Sequence, residues 1–80
     1  MIKKYTLEKY GITQYTMPMR EFLSVQMQND QLVIWVDDNT YTEPRLWTFM
    51  SVFTGDDSPP HATHIGTVQD KSLVYHVYAS

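Results

Sequence analysis

The chain reads as an all-β domain: a small antiparallel meander sheet, curled into a partly open barrel or folded as a two-layer sandwich. Three observations predict this. Apolar and polar residues alternate with period two over several short stretches. Turn-forming residues separate those stretches at short intervals. Six Tyr, two Trp and three Phe in 80 residues supply the aromatic side chains that pleated strands favour.

Taken in order, residues 2–8 alternate, with Lys3, Tyr5 and Leu7 on one face and Ile2, Lys4, Thr6 and Glu8 on the other. Lysines suit an edge strand, because charge there discourages further pairing. Residues 9–21 carry Gly11, Pro18 and scattered apolar anchors. An extended segment ending near Pro18 is expected, since the residue before proline is biased away from helical geometry. Residues 22–28 form the next strand, with Leu23, Val25 and Met27 facing one way and Phe22, Ser24, Gln26 and Gln28 the other. Asn29-Asp30 then reads as a tight turn into residues 31–36, where Leu32, Ile34 and Val36 alternate with Val33 and Trp35. Asn-Asp is a weaker hairpin signal than Asn-Gly, so the turn type stays open.

Residues 37–44 form a polar loop, and residues 45–53 return to period two. Trp47, Phe49, Ser51 and Phe53 share one face of this strand; Leu46, Thr48, Met50 and Val52 share the other. Two apolar faces mean a strand covered on both sides, or one with half its surface at an interface. Gly55 and Pro59-Pro60 interrupt residues 54–63. Residues 64–69 form a short strand, Asp70-Lys71 its turn, and residues 72–79 the last strand. Gly66 inside a strand marks a bulge or a close approach by a neighbour. A lone sheet cannot cover two apolar faces. It must curl, fold over as a second layer or pair with another copy, most simply as a two-fold homodimer. A boundary within 80 residues is not expected, so residues 1–80 form one domain.

Composition narrows the function. No cysteine is present, which removes disulfides, thiolate metal sites and cysteine nucleophiles. Six basic and nine acidic residues give a net charge of −3. The only basic cluster is Lys3-Lys4, so nucleic acid is not an expected partner. No apolar run approaches a membrane span, and the first residues lack the apolar stretch of a signal peptide. No phosphate-binding glycine loop is present.

Several segments, in this order, carry a resemblance. They are Phe22-Leu23-Ser24-Val25-Gln26-Met27-Gln28-Asn29, then Leu32-Val33-Ile34-Trp35, then the strand beginning at Arg45 and the pair Thr54-Gly55. His64-Ile65-Gly66-Thr67-Val68-Gln69 and Leu73-Val74-Tyr75-His76-Val77-Tyr78 complete the set. Together they resemble a family of small uncharacterised proteins common in tailed bacteriophages and some bacterial genomes. The resemblance covers most of residues 20–79. Where this chain has Tyr75, the family pattern usually has Trp. The resemblance implies a phage accessory protein acting in the host cytoplasm, and it brings no activity with it.

Five residues are candidates for binding. Arg45 is suited to bidentate phosphate or carboxylate contacts. With Trp35, Tyr41 and Trp47 it is placed to form a pocket that stacks a base and holds a phosphate. His76, among apolar neighbours, is either a general base or a hydrogen-bonded structural residue. His61 and His64 beside Asp56-Asp57 have metal-like chemistry, but His-x-x-His spacing alone assigns no site. No catalytic residue, metal or cofactor is assigned, and no enzymatic activity is expected. The leading expectation is a non-enzymatic protein that binds and modulates a host protein or defence component. A sponge for a small nucleotide signal and a structural virion accessory are the alternatives.

Overall fold

The computed structural model describes residues 1–80 and contains seven strands and no helix. These are β1 (Ile2–Leu7), β2 (Gly11–Met17), β3 (Met19–Gln28), β4 (Gln31–Asp38), β5 (Arg45–Phe53), β6 (Thr63–Asp70) and β7 (Leu73–Ala79). They form two antiparallel sheets, one ordered β1-β4-β3 and the other β2-β5-β7-β6. The expected layered, unclosed β architecture is therefore present. The strand order does not follow the chain order of a plain meander, because β1 and β2 enter different sheets and β7 inserts between β5 and β6.

Alternation decides which side chains meet between the sheets. Leu7 of β1 and Leu32, Ile34 and Val36 of β4 point inward from the three-stranded sheet. Met17 of β2, Phe49 of β5 and Val77 and Ala79 of β7 answer from the other sheet. All eight are buried and form the core. Phe22 adds edge-on contacts to Trp47 and Phe49, at ring separations of 5.5 and 5.8 Å. Such contacts stabilise beyond the area they bury.

Residues 9–21 resolve into β2, the turn into β3 at Pro18 and the start of β3. Proline cannot donate to a ladder, so the chain leaves one sheet there and enters the other. The Pro18 carbonyl accepts a hydrogen bond from the Asn39 N–H at 2.7 Å. The Asn29-Asp30 turn has φ of 51° and 63°, the doubly positive pattern of a type I′ hairpin. Asp37 and Asp38 extend β4, and Thr63 and Asp70 extend β6, so both flanking loops are shorter than expected. The last hairpin turns at Lys71-Ser72, with Lys71 at φ 57°.

The face assignment in β3 needs correction. Pairing with β4 shifts between Met19 and Glu21 and again between Phe22 and Ser24. The second shift puts one extra residue into the strand and reverses the alternation. Phe22, Val25 and Met27 therefore pack on the core, while Leu23 at the bulge is 44% exposed. The alternation in residues 22–28 is regular, and nothing in it marks the extra residue.

A second bulge, between His64 and Gly66 of β6, sits against β3. A Cβ built on Gly66 would lie 2.8 Å from Val25 Cγ2 and 2.9 Å from Val25 Cβ. Both readings of Gly66 hold, the bulge and the close approach. The glycine lets β6 close over β3 at one side of the sandwich.

Candidate functional site

The two outer faces differ in charge. The outer face of the three-stranded sheet carries Lys4, Glu21 and Asp37 among its outward positions. The outer face of β2-β5-β7-β6 carries no Asp, Glu, Lys or Arg at any outward position. Its outward residues include Ile12 from β2, Leu46, Met50 and Val52 from β5, and Val74 and Tyr78 from β7. Ile12 and Leu46 are 56% and 55% exposed, and no residue of the face is fully buried. The core covers only the other side of β5. The two-sided apolar pattern of residues 45–53 thus resolves into a central strand with one face buried and one open.

A polar chain crosses one side of this face. The Thr54 hydroxyl lies 2.7 Å from His76 Nε2, and the Thr67 hydroxyl lies 3.1 Å from His76 Nδ1. The same Thr67 oxygen is 2.9 Å from His64 Nε2. The β6–β7 register creates this square: His64 faces Tyr78 and Thr67 faces His76 across the ladder. His64 also packs edge-on against Tyr78, with ring centroids 5.3 Å apart. Both nitrogens of His76 are thereby engaged by hydroxyls.

The five candidate binding residues do not share one pocket. The Arg45 guanidinium stacks on Trp47, its Cζ 3.5 Å from the ring centroid. Trp47 itself faces the core, and its buried Nε1 has no hydrogen-bond partner. Trp35 lies on the outer face of the other sheet, with Lys4 Nζ 5.7 Å from its ring centroid. Lys4 also donates to Gln28 Oε1 at 2.6 Å, which holds it across that surface. Tyr41 is 98% exposed on the β4–β5 loop. His76 is on the open face of the four-stranded sheet. The structure therefore joins Arg45 to Trp47 and leaves Trp35, Tyr41 and His76 apart.

Two open clefts remain. One, of about 460 Å³, is lined in part by Lys9, Thr13, Tyr15 and Asp30. The other, of about 470 Å³, gathers Arg20 with Asp37, Asp38 and Tyr41. Asp38 is buried, with Lys3 Nζ 3.2 Å from Oδ2 and the Tyr5 hydroxyl donating to the same oxygen at 3.2 Å. Oδ1 has no partner. Burial, followed by the adjacent Asp38 charge, raises the Tyr5 pKa above the ordinary phenol value. No three His, Asp or Glu side chains come together as a metal cluster, so Asp56, Asp57, His61 and His64 do not assemble one.

Ile12, Leu46, Met50 and Val52 were not singled out as binding residues by sequence reasoning. The available signal was the absence of charge from the even positions of residues 45–53. The link from His64 to His76 through Thr67 depends on the β6–β7 register and has no local sequence signal.

An antiparallel two-sheet β domain with one uncharged outer face is the class that fold and site define. The chain belongs to the family described as a domain of unknown function, DUF7352, whose model matches residues 1–80. No curated protein and no solved structure matches the chain.

Proposed function

We propose that this is a non-enzymatic binding protein that docks a partner protein on the outer face of β2-β5-β7-β6. The observation that carries the reading is the lack of any charged residue on that face, combined with its exposed aliphatic side chains. Charged residues are depleted at the centres of protein interfaces, because burying them without partners is costly. The opposite outer face carries charges of both signs, as a solvated surface does. The partner matched to this face is an apolar, weakly charged surface of another folded protein. The resemblance to small phage proteins directs the search to proteins of the bacterial host cytoplasm, including defence components.

The test compares native mass spectra of three proteins after incubation with bacterial extract and desalting. They are the parent chain, Met50→Glu on the open face and Gln26→Glu on the opposite face. Both substitutions add the same charge. The expected result is a retained protein-sized mass with the parent and Gln26→Glu, absent with Met50→Glu. No retained protein, or one retained equally by both variants, overturns the proposal. A doubled mass that disappears with Met50→Glu assigns the face to a second copy instead.

A further inference from the structure

We propose that His64 and His76 form a two-histidine site for a borderline transition-metal ion such as Zn²⁺, Ni²⁺ or Cu²⁺. Two imidazole nitrogens converge on one point: His64 Nε2 and His76 Nδ1 lie 2.9 and 3.1 Å from the same Thr67 oxygen. Neutral imidazole is the protein ligand best suited to these ions, and a convergent pair is the smallest unit that chelates one. The ring centroids are 6.3 Å apart. Ligation at about 2.0–2.1 Å from each nitrogen with a tetrahedral angle brings centroids to about 5 Å. Side-chain rotation on an exposed sheet face covers the difference of about 1 Å. The ion sits between the rings in place of the two hydrogen bonds to Thr67: His64 takes the tautomer with its proton on Nδ1, the Thr67 hydroxyl keeps its proton and turns aside, and water completes the coordination.

Thr54 supplies the supporting contact. Its hydroxyl lies 2.7 Å from His76 Nε2; in the tautomer that ligates through Nδ1, that hydroxyl accepts the Nε2–H and the Nδ1 lone pair faces Thr67. A ligating histidine characteristically hands its other N–H to such an acceptor, which fixes both tautomer and ring orientation. The edge-on contact of His64 with Tyr78 limits the swing of the second ring. No carboxylate contributes, so the site is selective against Mg²⁺ and Ca²⁺, which require oxygen ligands. This inference does not depend on the proposed docking role.

The experiment titrates the purified protein with ZnCl₂ or NiCl₂ at neutral pH by calorimetry and follows the imidazole proton resonances in the zinc titration. One ion per chain is expected, with resonances of His64 and His76 shifting and those of His61 unmoved. His64→Gln and His76→Gln are each expected to weaken binding by at least about tenfold, and Thr54→Val by about tenfold through loss of the tautomer lock. His61→Gln is expected to bind as the parent does. Circular dichroism of each variant separates loss of ligation from loss of fold. Absence of saturable binding, or binding unchanged by His64→Gln and His76→Gln in folded variants, overturns the site.

Discussion

At Gly66 a single hydrogen stands where a methyl group has no room. Its neighbour Val25 is held at the branched Cβ, so the obstruction is not a flexible chain end. Gly66→Ala is therefore expected to destabilise by about 1–3 kcal/mol, the cost of overpacking a close contact. Urea denaturation measures it, and Val25→Ala in the same chain is expected to recover most of the loss. The sequence made Gly66 legible, because a glycine inside a strand needs a reason. Asp38 was not legible in that way: residues 37–44 read as a polar loop, yet β4 continues and carries this carboxylate inward beside Lys3 and Tyr5. The neutral Tyr5 phenol is favoured in the folded state, so its pKa is raised relative to the unfolded chain. Its stabilisation is present below the ordinary phenol pKa of 10.0 and is lost as pH rises through the folded value. Lys9, whose pKa is raised chiefly by its hydrogen bond to Asp30, has the same alkaline sign. Tyr5→Phe is expected to flatten the fall in stability above about pH 10 without abolishing it, as read by chemical denaturation across that range.

At the scale of elements, hairpins and connectors account for most of the folded path. Both residues of the Asn29-Asp30 turn adopt positive φ, which Asn and Asp tolerate better than other non-glycine residues. Asn29→Ala is expected to lower stability by about 1 kcal/mol, seen as a lower urea midpoint with an unchanged slope. Lys9, in the β1–β2 connector, reaches Asp30 at 2.9 Å and Asp70 at 3.9 Å and so links a hairpin of each sheet. Its hydrogen bond and charge lower the Asp30 pKa. That contribution is present above the ordinary carboxyl pKa and is lost as pH falls through the lowered one. In Lys9→Met, a carbon-detected titration is expected to show the Asp30 pKa moving back up. Strand positions were readable because the alternation of residues 2–8, 31–36 and 45–53 survives intact in β1, β4 and β5. The faces of β3 were not, because its bulges depend on pairing with β4. The assignment of β1 and β2 to separate sheets was equally hidden, since it is set by inter-strand contacts and not by local pattern.

For the whole molecule, folding into two sheets buries one apolar side of β5 and leaves the other partly exposed. The sequence showed two apolar faces; only the tertiary fold distinguishes the buried one from the open one. The candidate site was therefore only partly legible. His76 was singled out and His64 was weighed only with the His61 loop, while Ile12, Leu46, Met50 and Val52 were not singled out. Arg45 and Trp47 were expected together, and they stack on each other, while Trp35 and Tyr41 lie elsewhere. The central claim is that the open, uncharged face meets a partner protein. The most direct measurement is photo-crosslinking in bacterial cells, with a photoreactive phenylalanine analogue at Val52 on that face or at Gln26 on the opposite one. The account predicts one discrete crosslinked species from position 52 and none from position 26. Equal crosslinking from both positions, or none from position 52 while the protein remains folded, would contradict it.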